Sequence, residues 1–142
     1  MTAEFSTTHR VEFYETDMAG IVHFSNFYRF MEQAEHEFFR SLGLSIVTPY
    51  SSEATLGWPR VSATCSFKAP ARYSDVLDVT LRVTRKGVKS LTMEFEFHHG
   101  ETLIATGRLK TVCCLVRHNA ALESIEIPEP FRSRITELPP EQ

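Results

Sequence analysis

The sequence predicts a single α+β domain in which one long helix packs on a five-stranded antiparallel sheet. Residues 26–42 carry apolar side chains at the three-or-four spacing of a helix with one buried stripe, whereas residues from 58 onward alternate between apolar and polar side chains, as strands do. The connections between the alternating segments are short, which suits antiparallel hairpins. An apolar stripe and an apolar sheet face are buried most simply against each other, in two layers.

Composition limits the classes of function and compartment. A chain of 142 residues is long enough for one core, so residues 1–142 are treated as one domain. The formal net charge of -3 gives no general attraction to nucleic acid or to an anionic membrane. The first ten residues lack the apolar core of a signal peptide, and no apolar run approaches membrane-spanning length, so we expect a cytoplasmic protein.

The three cysteines, Cys65, Cys113 and Cys114, have no metal-site spacing. They are predicted to be small buried thiols in a reducing compartment. No Cys/His cluster has ligand spacing and no Gly-rich phosphate loop occurs in the sequence, so it implies neither a metal nor a redox cofactor.

The first two elements are a strand over residues 8–15 and the long helix. Ser25 or Asn26 is a suitable N-cap for that helix, and Gly43 is a suitable C-terminal stop. The predicted buried stripe of the helix consists of Phe27, Phe30, Met31, Ala34, Phe38 and Leu42.

The remaining strands follow an irregular connection at residues 45–57. Alternation predicts four strands, at residues 61–69, 77–84, 91–98 and 102–117, with turns at Gly87 and Gly100. Pro130 begins a short helix over residues 131–138. One polar face on each strand indicates a sheet that is covered on one side, so we expect self-association through the uncovered face and edge.

The turn before the long helix carries the candidate chemistry. Asp17 is followed by Ala19 and Gly20, a few residues upstream of the helix start, where free N–H groups attract negative charge. Asp17 has two interpretations: a turn residue that caps the backbone, or a base beside an anion-stabilising helix end, as acyl transfer requires. The residues alone leave both open.

The run from Tyr14 to Phe30, Y-E-T-D-M-A-G-I-V-H-F-S-N-F-Y-R-F, closely resembles the signature of the 4-hydroxybenzoyl-CoA thioesterase family of hotdog-fold proteins. That signature has an Asp, a small residue with Gly, two aliphatic residues, two mostly aromatic residues and an Asn before an aromatic-rich helix. Residues 8–116 are similar to the family, including Pro59-Arg60, Phe67, Pro70, Tyr73, Asp75, Leu77, Gly87 and Ser90.

The resemblance implies a hotdog acyl-CoA thioesterase, which converts a CoA thioester and water to an acid and CoA. Asp17 would be its general base or its nucleophile, and the backbone N–H of Phe24 would polarise the thioester carbonyl, with Gly20 allowing the turn. His23, which stands where relatives often have an aromatic residue, is a packing, substrate-contact or second-base candidate. Glu32 on the helix flank is a candidate assisting acid.

The same resemblance gives expectations for substrate binding and assembly. Arg85, Lys86 and Lys89 around the Gly87 hairpin are the candidates for the CoA phosphates, because cations on a turn meet phosphate charges without burial. Their alternative role is a solubilising hairpin tip. Ser90 and Arg60 are weaker candidates. The expected assembly is a homodimer with sites between subunits, paired into a homotetramer, and the acyl group is left open.

Two other functions are compatible with parts of the sequence. A hotdog dehydratase or hydratase would use a His before the helix and an acid within it, for which His23 and Glu37 are the candidates. A non-catalytic binder of acyl-CoA or acyl carrier protein would need no base. Asp17 would have no purpose in the dehydratase, and the presence together of Asp17, Gly20 and the helix start favours the enzyme over the binder.

Overall fold

The computed structural model describes residues 4–138 as one long helix and two antiparallel sheets. The helix α1 spans Asn26–Ser41, and a short helix α2 spans Phe131–Arg134. The strands are, in chain order, β1 (Phe5–Arg10), β2 (Thr48–Pro49), β3 (Ala54–Gly57), β4 (Arg60–Phe67), β5 (Val76–Lys86), β6 (Ser90–His99), β7 (Thr102–Val112), β8 (Cys114–Arg117) and β9 (Glu123–Ser124).

The main sheet has five strands in the order β1-β5-β6-β7-β4, all antiparallel. Helix α1 covers one face of it, which confirms the predicted architecture. The predicted stripe is buried except for Leu42, which is half-buried, and Phe39 and Glu35 are buried as well. Phe27 at the start of the helix packs edge-on against Phe97 of β6, with ring centroids 5.4 Å apart.

One end of α1 matches the prediction and the other does not. Gly43 has a φ of +72°, and Leu44 N–H donates to Phe39 C=O at 2.8 Å, so the predicted glycine stop is confirmed. At the other end, Ser25 makes no side-chain capping bond. Asn26 is the first helical residue, and its side chain bonds to the backbone of Glu15 instead.

The prediction of a strand over residues 8–15 is wrong in its bounds. The strand β1 ends at Arg10, and Phe13–Glu15 form a single 3-10 turn. The chain leaves the sheet because Glu12 and Glu15 form a reciprocal capping box around this turn. Val11 and Phe13 therefore do not share one buried strand face: Val11 is buried, whereas Phe13 is exposed.

Two further segments depart from the prediction. Residues 45–57 contain β2 and β3, which are too short to show periodicity, and the predicted strand 102–117 is divided at Cys113. Cys113 N–H donates to Lys89 C=O, and the chain then passes into a second sheet of order β2-β3-β8-β9. Cys113 and Cys114 are buried as predicted, while Cys65 is half-buried; burial raises the pKa of the Cys65 and Cys113 thiols to about 11.

The edge strand β4 does not bury the apolar face that its alternation predicts. Cys65 is half-buried and the other seven residues are exposed, with Val61 and Phe67 at 59% and 49%. The physical reason is position: β4 is the outermost strand, and no strand of residues 4–138 pairs with its free edge.

None of the helices described over residues 4–138 is long and apolar enough to span a membrane.

Gly107 in β7 sets how closely α1 approaches the sheet. A Cβ at this position would lie 2.3 Å from Met31 Sδ. We expect Gly107→Ala to lower the free energy of unfolding by ~1–3 kcal/mol through overpacking. Urea unfolding would measure this, and a double-mutant cycle with Met31→Ala should show favourable coupling, because the smaller side chain removes the clash. An unchanged midpoint in Gly107→Ala would contradict the close contact.

Candidate active site

Asp17 closes the turn that precedes α1. Its backbone N–H donates to Ile21 C=O at 2.8 Å, and its carboxylate Oδ1 accepts from Ala19 N–H at 2.8 Å. Gly20 takes a φ of +80°, which favours glycine, and donates its N–H to Asp17 C=O at 3.0 Å. Oδ2 of Asp17 accepts no hydrogen bond from residues 4–138. The side chain therefore caps the turn with one oxygen and has a second oxygen available.

Glu15 joins this turn to the start of the helix. Its side chain is almost fully buried, and Oε1 is 2.9 Å from His9 Nε2 and accepts from Glu12 N–H at 2.7 Å. Its backbone C=O accepts from Asn26 Nδ2 at 2.7 Å and from His23 N–H at 2.9 Å. We call this set of four hydrogen bonds the Glu15 node. It fixes the end of the 3-10 turn against the first turn of α1.

The backbone at Phe24 lies between the node and the helix. Its neighbours are bonded: His23 N–H donates to Glu15, and Ser25 N–H lies 3.3 Å from His23 Nδ1. Phe24 N–H finds no acceptor among the described residues. A free N–H beside a helix start is a suitable donor to a developing oxyanion.

A pocket of about 460 Å³ brings these parts together. Asp17 and Phe24 line it, and the aromatic rings of Phe27 and Phe67 form a wall, with centroids 5.5 Å apart. The remaining lining residues are Ile21, Val22, Lys68, Ala69, Pro70 and Ala71. Two other depressions, of about 400 and 850 Å³, lie on the outer sheet face and beside the second sheet, and neither is lined by Asp17.

Residues 68–71 line this pocket although no pattern in the sequence predicts it. They connect β4 to β5, and Val22 N–H donates to Ala71 C=O at 2.8 Å, which places the connection beside the Asp17 turn. The detectable signal was Pro70, which ends a strand without beginning a hairpin. No spacing rule relates it to Asp17, because the contact depends on the tertiary fold.

His23 lies next to the pocket but is exposed. Its Nδ1 is 2.8 Å from Ser25 Oγ, and its ring stacks on Phe24 with centroids 4.7 Å apart. These contacts are consistent with packing against Phe24. Glu37, the acid paired with His23 in the dehydratase alternative, instead accepts a hydrogen bond from Thr7 of β1. Glu37 lies eleven residues beyond Asn26, which is about 16 Å along α1, so His23 and Glu37 of one protomer do not share a site.

Arg60 is held by acidic residues of α1. It makes two hydrogen bonds to the fully buried carboxylate of Glu35, at 2.7 and 2.9 Å, and a longer contact of 3.4 Å to Glu32. Burial raises the pKa of Glu35 above its ordinary value of 4.5, and Arg60 opposes this by stabilising the anion. The sequence candidates Glu32 and Arg60 thus lie together, and the buried Glu35 makes the shorter contacts with Arg60.

The hairpin candidates lie elsewhere. Arg85 and Lys89 are exposed and Ser90 is half-buried at the β5–β6 connection. Lys86 differs from a free hairpin cation, because its Nζ donates to Arg132 C=O at 2.7 Å and to Ile135 C=O at 2.9 Å. The Asp17 turn adjoins the start of β5, whereas the hairpin follows its end, about 30 Å away for a strand of this length.

Among the described residues there is no group of three or more His, Cys, Asp or Glu side chains that could hold a metal ion. Asp17 is the acidic residue among those that line the pocket, and its carboxylate suits proton transfer or attack. The arrangement is therefore a carboxylate, a free N–H and an aromatic pocket, which together suit attack on a carbonyl carbon.

Comparison with known proteins gives consistent matches. The family model of the thioesterase-like superfamily matches residues 11–141. A curated Aquifex aeolicus (strain VF5) protein, provisionally named an esterase, is 37% identical over 116 residues, covering 80% of this chain and 86% of that protein.

Solved structures agree on the fold. A gentisyl-coenzyme A thioesterase is 31% identical, with a TM-score of 0.76 over 90% of this chain and 99% of that chain. A variant of 4-hydroxybenzoyl-CoA thioesterase solved with 4-hydroxybenzoyl-CoA has a TM-score of 0.80 at 23% identity, covering 95% of this chain and 100% of the other. The predicted hotdog fold and family resemblance are confirmed.

The buried ion pair gives a pH-dependent prediction. Arg60→Met leaves Glu35 buried without its partner, and we expect the free energy of unfolding to fall by ~3–5 kcal/mol near neutral pH. The native state holds the Glu35 proton more tightly than the unfolded chain does, so the cost is greatest above the raised pKa and shrinks as pH falls through it toward 4.5.

Urea unfolding at about pH 8 and about pH 5 checks this, since the variant should lose less stability at the lower pH. Glu32→Gln is the matched control, because Glu32 is exposed and its contact with Arg60 is longer. An equal loss at both pH values would contradict the role of Glu35.

Proposed function

The chain belongs to the thioesterase-like superfamily and is a thioester hydrolase, and we propose that its substrate is an acyl-CoA, hydrolysed to the free acid and CoA. One observation carries the proposal: a free oxygen of Asp17 and the free N–H of Phe24 belong to residues that line the same pocket. The first supplies a base or nucleophile, and the second suits the carbonyl oxygen.

Two routes fit this geometry. In the first, Asp17 takes a proton from water, the water oxygen attacks the thioester carbon, the C–S bond breaks and the proton passes to the CoA sulfur. In the second, the Asp17 oxygen attacks the carbon directly, the C–S bond breaks and CoA leaves as the thiolate; water then hydrolyses the mixed anhydride to the free acid and the Asp17 carboxylate, and a proton from that water passes to the CoA sulfur. Phe24 N–H stabilises the oxyanion in both, and one such donor is typically worth ~3 kcal/mol. Gly20 keeps the turn tight enough to bring the two groups to one pocket.

The aromatic wall supports an aromatic acyl group. Phe24 and Phe67 are half exposed although large and apolar, and they face the pocket with Phe27. The similar gentisyl-coenzyme A thioesterase has an aromatic acyl substrate by its name. A thiol-release screen over aromatic, short, branched and long acyl-CoA esters tests the proposal, and a preference for long aliphatic chains would overturn the aromatic assignment.

The variant Asp17→Asn tests whether the Asp17 carboxylate takes part in the reaction. We expect kcat to fall by ~10²–10⁴-fold while the CD spectrum and acyl-CoA binding are retained, because the amide keeps the turn but is neither base nor nucleophile. Steady-state thiol release measures this. Ser25→Ala, which removes a hydroxyl near His23 without touching Asp17, is the matched control and should turn over normally. Wild-type turnover in Asp17→Asn would remove this residue from the mechanism.

A site that combines Asp17 with Arg85 and Lys89 needs two copies of the chain. The two ends of β5 are too far apart for one protomer to present both. If β4 pairs with β4 of a second copy in antiparallel orientation, the Arg60 end of one strand lies beside the Phe67 end of the other. The Arg60 end of β4 is connected to the β5–β6 hairpin of its own protomer through β7 and β6. The free edge of β4 and its exposed Val61 and Phe67 support this homodimer. Its pairing into a tetramer stays a prediction.

Mixed dimers test the shared site. Asp17→Asn and Arg85→Gln/Lys89→Gln, co-refolded in equal amounts, should recover about a quarter of wild-type activity at low acyl-CoA, because half the dimers are mixed and each has one intact site of two. Each variant alone, taken through the same refolding, is the control. If activity does not exceed the average of the two parents, each site lies within one protomer.

A further inference from the structure

The C-terminal segment is fastened across the β5–β6 hairpin. Ile127 N–H donates to Val88 C=O at 2.9 Å, and Leu138 N–H donates to Val83 C=O at 2.6 Å. Glu137 Oε2 accepts from Lys86 N–H at 2.9 Å. We call residues 125–138 the C-terminal strap. The strap follows the second sheet in the chain, and these three contacts lie at the end of β5 that is remote from Asp17.

Arg132 makes the central contact between strap and hairpin. Its Nη2 donates to Gly87 C=O and to Val88 C=O, both at 2.8 Å, and its Nε donates to Ile127 C=O at 3.3 Å. A planar guanidinium has donors on separate nitrogens, so it reaches the two hairpin carbonyls and Ile127 C=O together, whereas an ammonium has a single nitrogen and cannot reproduce both positions. One side chain thus fixes two successive peptide groups of the hairpin.

The orientation of those peptide groups has a consequence for their N–H groups. In a trans peptide the N–H points opposite to the C=O. Because the carbonyls of Gly87 and Val88 face Arg132, the N–H groups of Val88 and Lys89 point away from it. Neither N–H has a hydrogen-bond acceptor within residues 4–138. Successive free N–H groups of this kind form a small anion-binding concavity.

Charge at the hairpin is complementary to an anion. Arg85 and Lys89 flank the two free N–H groups and are exposed. Lys86 is held by strap carbonyls, so its role is to fasten the hairpin, together with Arg132. The cations and the backbone donors share one short loop whose shape depends on Arg132.

We propose that Arg132 is a positioning residue for CoA: it holds Gly87 and Val88 so that the N–H groups of Val88 and Lys89, with Arg85 and Lys89, bind the CoA phosphates. This inference rests on the proposed acyl-CoA function. Arg132 acts through the hairpin and does not itself contact the phosphates.

Free CoA is the probe, and its Kd is measured by isothermal titration calorimetry on the full-length protein. Arg132→Gln is expected to raise the Kd by ~5–10-fold. Arg132→Lys should raise it nearly as much, because it keeps the charge but loses the three-carbonyl contact. Arg134→Gln is the matched control: it lies on the same short helix, but its guanidinium contacts Leu42 C=O and Gly43 C=O instead of the hairpin, and the Kd should stay within twofold.

The outcomes separate this inference from the proposed function. If Arg132→Lys binds CoA like the wild type, charge alone matters and the positioning role is overturned. If Arg85→Gln/Lys89→Gln weakens CoA binding but Arg132→Gln does not, the hairpin site survives and the role of Arg132 fails. If none of the variants changes the Kd while thiol release persists, the hairpin does not bind CoA, and the hydrolase function stands without it. Thermal unfolding of each variant shows whether a change in Kd is local.

Discussion

The arrangement of the pocket depends on Glu15, which forms hydrogen bonds with two separate segments of the chain. The buried carboxylate of Glu15 closes the 3-10 turn, and its carbonyl receives the side chain of Asn26 and the N–H of His23. Each of these two oxygens of Glu15 has two donors, so either oxygen would be left unsatisfied in a buried place only if both of its donors were lost, which is costly. These four hydrogen bonds hold the 3-10 turn against the start of α1, on either side of the segment that contains Asp17 and Phe24. Preorganised donors of this kind cost no rearrangement when charge develops.

Much of this fold can be predicted from the sequence because its elements are long and regular. The stripe of α1 and the alternation in β5 and β6 repeat often enough to identify the elements and the buried face, and Gly43 marks a helix end through its own backbone preference. Prediction fails where the deciding contact is distant. The end of β1 depends on Glu15, the break at Cys113 depends on Lys89, and the exposure of β4 depends on its place at the sheet edge.

The residues of the candidate site also divide into those that a local pattern identifies and those that depend on distant contacts. Asp17, Gly20 and Phe24 belong to one short run, so a motif identifies them together. The pocket wall formed by Phe67 and residues 68–71 comes from another part of the chain, and no local pattern assigns it. The side chains of Arg60 and Lys86 show why charge alone is a weak guide: both lie near the predicted regions, but their donors are directed to Glu35 and to strap carbonyls. A cation on a surface turn is free only if the tertiary structure leaves it so.

The open edge of β4 also has a consequence for how a newly folded protomer pairs with other chains. A protomer that has completed its own core still exposes a strand of eight residues with unpaired peptide groups and two large apolar side chains. Such an edge accepts any extended segment of suitable register, from the correct partner or from an unfolded neighbour. Under the proposed pairing of β4 with β4, the yield on refolding reflects competition between that pairing and aggregation, and it should depend on protein concentration with a maximum at intermediate values.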